Sequence, residues 1–272
     1  MRIRARAVRQ TPLTSSSLLP RHGKLSDMNL RRTQIGSLNC CIVDALPEGV
    51  DPSLVVILCH GFGASGEDLV PCGAELLNWK PALAQSVRFI MPAAPLALDD
   101  QGMPGSRAWW HIDMVKLTSM IEHGDFRDQR ASTPEGLPES RAMLSEVVEQ
   151  VCGQTGLPAS RIVLGGFSQG AMLTTDLALH LDESPAALCI WSGTLLYEDV
   201  WRQCASQRAG LRIVQSHGRQ DPLLDFHAAV CLRDLLIEGG AEVDFIEFDG
   251  IHTIPTHALE RFGELLVELV SD

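Results

Sequence analysis

The sequence predicts an α/β protein with a mostly parallel, doubly wound sheet and helices on both faces. Short apolar runs bounded by turn residues alternate along the chain with longer segments of helical period. Most of these runs are continuous rather than alternating in polarity, as expected for strands that helices cover on both faces. No internal repeat and no linker rich in Pro, Gly and Ser divides the chain beyond its first residues. We therefore expect a single domain at residues 28–272.

Seven apolar runs are predicted to form strands, since each is short and is bounded by turn or polar residues. They are residues 38–43, 54–59, 87–91, 161–164, 186–191, 211–215 and 243–248. Five longer segments are predicted to be helices, because their apolar residues recur at helical spacing, as in Ala171-Met172-Leu173 followed by Leu177-Ala178. They are residues 66–79, 138–152, 169–181, 223–238 and 255–270.

The stretch 92–138 does not fit this alternation. It is rich in Pro, Gly and Asp, it contains the adjacent Trp109 and Trp110, and it has room for a short helix at 113–123. A loop of this length inside a compact domain is more often a lid or binding segment than a plain connection. The alternative is a surface excursion that covers an edge of the sheet.

Composition excludes several classes of protein. The 272 residues are 45% apolar and 21% charged, with a net charge of −12, and no apolar run is long enough to span a membrane. Six basic and no acidic residues fall in 1–26, so residues 27–272 carry −18, which disfavours nucleic-acid binding. We expect residues 1–27 to be a disordered extension or to precede the true start at Met28, although their composition is also similar to a mitochondrial transit peptide.

The eight cysteines form no Cys-x-x-Cys pair, and several lie inside apolar runs. They are typical of small buried side chains in a reducing compartment rather than of disulfides or a zinc site. A cytoplasmic protein is therefore expected, or an organellar one if the basic segment is a transit peptide. No residue spacing indicates a metal, and no glycine-rich loop indicates a nucleotide cofactor.

The strongest local signal is the Gly-x-Ser-x-Gly pattern centred on Ser168. It follows an apolar run and opens a helical segment, which is the strand, tight turn and helix of a nucleophile elbow. Glycines two positions to either side allow the neighbouring backbone to pass closely, and the turn exposes the serine hydroxyl. The alternative is an ordinary serine in a glycine-rich turn.

A serine nucleophile requires a histidine base and a carboxylate that orients it. Asp221 follows the predicted strand 211–215 and His252 follows the strand 243–248, so both lie with Ser168 at the carboxyl edge of the sheet. Asp225 and His257 are alternatives, but they fall inside helical patterns, where a dipole partner and a surface residue are expected. His217 precedes a glycine in a tight turn and is expected to be a structural hydrogen-bonding residue.

Acyl transfer also needs N–H donors for the oxyanion. His60-Gly61-Phe62-Gly63 follows the buried run 54–59, where this architecture places one donor, and the residue after the nucleophile supplies the other. We therefore expect the oxyanion to be bound by the N–H groups of Phe62 and Gln169. A plain turn at the end of the strand is the alternative reading of residues 60–63.

Six motifs occur in this order across residues 39–270. They are Leu58-Cys59-His60-Gly61-Phe62-Gly63, Gly102-Met103 through Arg107-Ala108-Trp109-Trp110-His111-Ile112-Asp113, Gly166-Phe167-Ser168-Gln169-Gly170, Ser192-Gly193, His217-Gly218-x-x-Asp221-Pro222 and His252. The set resembles the phospholipase/carboxylesterase family, which includes acyl-protein thioesterases and small bacterial carboxylesterases. The resemblance implies an α/β-hydrolase fold, a Ser168, Asp221, His252 triad, oxyanion donors at Phe62 and Gln169, no cofactor, and often dimerisation.

The expected function is hydrolysis of carboxylic esters or thioesters through an acyl-enzyme. Trp109 and Trp110 are expected to line an apolar, substrate-binding pocket for the acyl chain. The segment 114–139 is longer than in compact family members, and 250–255 is shorter and more apolar than in the thioesterases. A lysophospholipase would use the same triad, and a non-catalytic binding module on the same scaffold is a further alternative. The expected partner is a small ester, thioester or acylated substrate, without nucleic acid, and a homodimer is possible.

Overall fold

The computed structural model describes residues 28–113 and 133–272. Its strands are β1 (Asn29–Ile35), β2 (Leu38–Asp44), β3 (Leu54–Cys59), β4 (Val87–Pro92), β5 (Leu96–Ala97), β6 (Arg107–Ala108), β7 (Ile162–Phe167), β8 (Ala187–Trp191), β9 (Arg212–Gly218) and β10 (Glu242–Phe248). Its helices are α1 (Val70–Trp79), α2 (Pro81–Ala84), α3 (Leu137–Thr155), α4 (Gln169–His180), α5 (Glu198–Ala205), α6 (Phe226–Glu238) and α7 (Thr256–Ser271).

Eight of these strands form one sheet in the order β1-β2-β4-β3-β7-β8-β9-β10. The pairs from β4 through β10 are parallel, whereas β1–β2 and β2–β4 are antiparallel. Parallel neighbours place their carboxyl ends at the same edge, so β3, β7, β9 and β10 all deliver their following loops to one side of the molecule.

Helices cover both faces of the sheet. Strand β3 shows why its sequence is continuously apolar: Val55 and Ile57 contribute to the core beneath α3, α4, α5 and α6, while Val56 and Leu58 contribute to the core beneath α1 and α7. Successive side chains of a strand point to opposite faces, so a strand between two helical layers has no polar face.

The seven predicted strands and five predicted helices are present, with ends displaced by a few residues; for example, the helix expected at 66–79 begins at Val70. Strand β1 was not predicted, because six of its seven residues are exposed and it pairs only with β2 at the sheet edge. Helix α5 and the β5–β6 pair were also not predicted. Of the helix expected at 113–123, only Asp113 is among the described residues, and the segment 1–27 lies wholly outside them.

In the described ranges 28–113 and 133–272, no helix combines the length and apolar character needed to cross a bilayer.

Candidate active site

Four loops meet at the carboxyl edge of the sheet. Ser168 follows β7, Asp221 lies three residues after β9, His252 lies four residues after β10, and residues 60–63 follow β3. The hypothetical Cβ of Gly61 would lie 3.4 Å from Cβ of Ser168, which places the loop after β3 directly against the serine. The parallel sheet thus gathers residues as far apart in sequence as His60 and His252.

Ser168 occupies a strained turn between β7 and α4. Its φ of 54° and ψ of −118° lie in a region that residues with a Cβ rarely adopt, and its N–H donates to the carbonyl of Trp191 at 2.9 Å. Gly166 and Gly170 make the turn possible, because a Cβ would lie 2.6 and 2.1 Å, respectively, from the carbonyl oxygen of Cys59. This is the geometry that projects a serine hydroxyl from a nucleophile elbow.

Asp221 and His252 form a short hydrogen bond in which Nδ1–H of His252 donates to Oδ2 at 2.6 Å. The other carboxylate oxygen, Oδ1, accepts from the N–H groups of Leu223 at 2.9 Å and Leu224 at 3.0 Å. The Asp221 side chain is fully buried, whereas the imidazole of His252 is 10% exposed. Nδ1 therefore carries the proton, and Nε2 of His252 is left as the basic nitrogen.

Two opposing effects act on the Asp221 carboxyl group. Burial works to raise its pKa, but the hydrogen bond and charge of His252 and the two backbone N–H groups outweigh burial, so the pKa lies below its ordinary value of 3.8. The carboxylate therefore stays ionised at neutral pH, where it can stabilise a protonated imidazole.

The loops that carry Asp221 and His252 are joined through their backbones. The N–H of Arg219 donates to the carbonyl of Phe248 at 2.8 Å, and that of Gln220 donates to Gly250 at 3.0 Å. From the other side, the hydroxyl of Ser192 donates to the carbonyl of Thr253 at 3.2 Å. The ring of His252 also packs against that of Phe167, the residue before Ser168, with the ring centroids 4.7 Å apart and the planes tilted by 46°. Contacts on several sides thus fix the imidazole.

Two backbone N–H groups are available beside Ser168. Gln169 is the first residue of α4, where a helix leaves its N–H groups without intrahelical partners. Phe62 lies in the turn after β3, which the bond from Gly63 N–H to the carbonyl of Arg107 holds at 2.9 Å. Neither N–H has a hydrogen-bond partner among residues 28–113 and 133–272. The two predicted oxyanion donors are thus free to bind an added oxygen.

The side chain of Gln169 has a role that the sequence did not reveal. Its Oε1 accepts from the N–H of Trp109 at 2.9 Å, and its Nε2 donates to the carbonyl of Trp110 at 2.9 Å. The indole N–H of Trp109 in turn donates to the carbonyl of His60 at 2.9 Å. The buried amide therefore ties the start of α4 to Trp109 and Trp110, and the indole of Trp109 ties that segment to the turn after β3.

Trp109 and Trp110 are 1% and 4% exposed, and both belong to the core beneath α3 and α4. They contact the site through hydrogen bonds to the side chain of Gln169 and to the carbonyl of His60. Their predicted contact with substrate stays a prediction.

His60 is a structural residue. Its Nδ1–H donates to the carbonyl of Gly61 at 2.8 Å, and its Nε2 accepts from the N–H of Ala94 at 3.1 Å. Burial lowers the pKa of His60 to about 4, against a smaller opposing effect of its bond to Gly61. The ring is thus neutral at physiological pH and fixes the turn that carries Phe62.

The alternative residues occupy other positions. Asp225 is the N-cap of α6, with its carboxylate accepting from the N–H of Ala228 at 3.2 Å. His257 is exposed on α7, where it contacts Phe248. His217 is buried beside Asp221. In the part of the chain that the structure describes, no group of three or more His, Cys, Asp and Glu side chains could hold a metal ion.

A parallel sheet with a strained serine elbow, a buried Asp–His pair and free N–H groups at its carboxyl edge defines the α/β-hydrolase class. A sequence model of the phospholipase/carboxylesterase family matches residues 46–268. The chain therefore belongs to this family, as its motifs predicted.

Known relatives and structures agree with this family. The chain is 31% identical to acyl-protein thioesterase 1 of Eremothecium gossypii over 210 residues, which cover 77% of this chain and 78% of that protein. It is 27% identical to the Neurospora crassa protein of the same name, over 78% of this chain and 85% of the relative. Among solved structures, esterase PE8 has a TM-score of 0.66 at 20% identity, covering 89% of this chain and 99% of its own, which supports the fold. The predicted fold and the predicted enzyme class, a hydrolase of esters or thioesters, are confirmed.

Proposed function

We propose that the protein hydrolyses acyl esters and thioesters through an acyl-enzyme formed on Ser168. The observation that carries the proposal is the 2.6 Å bond between His252 and Asp221, at the same sheet edge as the strained turn of Ser168. A serine hydroxyl is a weak nucleophile at neutral pH, so it needs a neighbouring base in a fixed tautomer. The Asp221 bond supplies that tautomer.

In the first half-reaction, Nε2 of His252 takes the proton of Ser168 as its Oγ attacks the acyl carbonyl. Asp221 stabilises the imidazolium that forms, and the N–H groups of Phe62 and Gln169 bind the oxyanion. The tetrahedral intermediate collapses when His252 returns the proton to the leaving alcohol or thiol. In the second half-reaction His252 activates water, which attacks the acyl-enzyme and releases the carboxylic acid and Ser168.

We further propose that S-acyl thioesters on cysteine side chains are the preferred substrates. The support is similarity: the Eremothecium gossypii and Neurospora crassa relatives are both named acyl-protein thioesterase 1. Trp109 and Trp110 are proposed to form the inner wall of the acyl pocket. A small lysophospholipid would require the same chemistry, so the choice between them depends on the shape of the pocket.

A substrate panel with matched variants tests the proposal. The panel compares p-nitrophenyl esters from acetyl to palmitoyl, a palmitoyl-cysteine peptide and a lysophospholipid. Ser168→Ala should lower kcat by about 10⁴-fold or more on every substrate that the parent cleaves. Ser145→Ala, which alters a serine on α3 bonded to Glu149, should retain parental activity. Equal activity of the parent and Ser168→Ala would refute the mechanism. A higher kcat/KM for the lysophospholipid than for the palmitoyl-cysteine peptide would refute the proposed preference for S-acyl thioesters.

The state of the cysteines bears on the compartment in which the protein works. All eight cysteines are free thiols, and burial raises the pKa of Cys40 and of Cys72 to about 12. Unpaired thiols support a reducing compartment such as the cytoplasm. A homodimer stays a prediction that sedimentation velocity can test.

A further inference from the structure

A second imidazole contacts the carboxylate of Asp221. His217 is the sixth of the seven residues of β9 and is completely buried. Its Nε2 lies 3.0 Å from the carbonyl oxygen of Leu224 and 3.3 Å from Oδ2 of Asp221. Because a carbonyl oxygen only accepts, Nε2 must carry the proton in this contact. The same N–H is thus close to the oxygen that accepts from His252.

These contacts close a ring of hydrogen bonds around the turn 221–224. The N–H of Leu224 donates to Oδ1 of Asp221, while the carbonyl of the same residue accepts from His217. His217 is part of the sheet, so it connects the turn to a rigid strand. The orientation of the carboxylate therefore depends on the imidazole of His217 as well as on the backbone of its own turn.

His217 makes these contacts as a neutral group. Three ionisable side chains face it: Asp221, His252 from the loop after β10, and Asp225 at the start of α6. Burial lowers the pKa of His217 more than the two carboxylates raise it. A charged ring here would compete with His252 for the negative charge of Asp221, whereas a neutral N–H orients the carboxylate and leaves its charge to His252.

The other ring nitrogen is consistent with this tautomer. Nδ1 of His217 is buried and has no hydrogen-bond partner among the described residues, and the ring lies 6.2 Å from that of Phe226. An unprotonated Nδ1 needs no acceptor, whereas a buried N–H at that position would be left unsatisfied.

We propose that His217 is a positioning residue for the hydrolytic reaction: its Nε2–H fixes the turn 221–224 and holds Oδ2 of Asp221 in place for His252. This inference rests on the proposed function, because it assigns His252 as the base. It extends the site by a residue that contacts neither the substrate nor the reacting atoms.

Two amide substitutions distinguish hydrogen bonding by Nε2–H of His217 from side-chain packing alone. In His217→Gln the amide nitrogen reaches about as far from Cα as Nε2 does, whereas in His217→Asn it reaches only as far as Nδ1. We expect His217→Gln to stay within about threefold of the parental kcat. His217→Asn should lose about 10- to 100-fold in kcat with KM unchanged, since misplacement by about 1 Å at a catalytic group can cost 100-fold.

The pH profile and a proton resonance provide readouts of position. If Asp221 moves away, protonated His252 loses stabilisation, so the acid limb of kcat/KM in His217→Asn should move to lower pH. The far-downfield NMR signal of the His252 Nδ1–H should weaken in His217→Asn and persist in His217→Gln. His180→Gln, which alters a partly exposed histidine at the end of α4, should leave the acid limb and the signal unchanged.

Equal kcat values for the Asn and Gln variants, or an acid limb that stays in place or moves to higher pH, would overturn the proposal. A measurement on the parent protein needs no variant: ¹⁵N shifts should report His217 as the neutral Nε2–H tautomer at about pH 7, above the ordinary pKa of an imidazole. The Nδ1–H tautomer or a charged ring would also overturn it. If the parent hydrolyses no ester or thioester, the proposed function fails, while the NMR measurements still test whether His217 holds Asp221.

Discussion

Gly218 is the point at which the loop of Asp221 meets the loop of His252, and we expect its replacement to lower both activity and stability. A Cβ at this position would lie 2.4 Å from the carbonyl oxygen of Gly250 and 2.6 Å from that of Ile251. Both are backbone atoms, so no flexible side chain can move aside. Ordinary contact begins near 3.4 Å, which means that in Gly218→Ala the backbone next to His252 must shift by roughly 1 Å.

A shift of this size should lower kcat by about 100-fold, since the imidazole moves relative to Ser168 and Asp221. Overpacking of the contact should lower the free energy of unfolding by about 1–3 kcal/mol. Steady-state kinetics on a p-nitrophenyl ester measures the first effect, and urea unfolding measures the second.

Gly153→Ala is the matched control, because a Cβ there meets no atom within 4 Å on the exposed face of α3. It should keep parental kcat and gain about 0.5–1 kcal/mol of stability, as expected for alanine in a helix. A folded Gly218→Ala variant with the parental kcat would refute the reasoning that the two loops position His252.

Three further predictions concern charge. Asp221→Asn should lower kcat by about 10⁴-fold in the same ester assay, because an amide neither holds the tautomer nor stabilises the imidazolium; a loss below tenfold would contradict the assignment. His60 has a pKa of about 4 in the folded protein and about 6.5 in the unfolded chain, so the unfolded chain binds its proton first as the pH falls. The contribution of His60 to the free energy of unfolding is therefore complete above pH 6.5, and about 3 kcal/mol is lost as the pH falls towards 4. Urea unfolding from pH 7 to 4.5 should show that the free energy of unfolding depends less on pH in His60→Asn than in the parent. An equal pH dependence in the two proteins would contradict the conclusion that the His60 ring is neutral in the folded protein. Arg208 is 3% exposed and donates to carbonyls at the end of α4, so Arg208→Met should destabilise by about 2–4 kcal/mol, whereas the exposed Arg202→Met should change stability by less than about 1 kcal/mol. Similar losses for the two would exclude a capping role for Arg208.

The sequence was most informative where one local pattern has one structural solution. The run Leu54–Cys59 is apolar at every position because both faces are covered, and the Gly-x-Ser-x-Gly pattern has small residues where the backbone of β3 passes within contact of α4. The placement of Asp221 and His252 followed from parallel strands, whose carboxyl ends must share an edge.

Features that depend on partners distant in sequence were not predictable. Strand β1 is polar and exposed, and only its pairing with β2 makes it a strand. Gln169 bonds to residues about 60 positions earlier, and His217 bonds to a turn whose conformation is set by Asp221. A single sequence contains no periodicity that reports such contacts, because each joins one side chain to one backbone group.

The claim that Ser168 is the nucleophile can be tested most directly by trapping the covalent intermediate. The intact protein is treated with a fluorophosphonate, or with a p-nitrophenyl ester quenched in acid, and the modified peptide is sequenced by tandem mass spectrometry. We expect a single adduct on Ser168 of the parent, none on Ser168→Ala, and much slower labelling of Asp221→Asn. An adduct on any other residue, or unchanged labelling of Ser168→Ala, would contradict the assignment of Ser168 as the nucleophile.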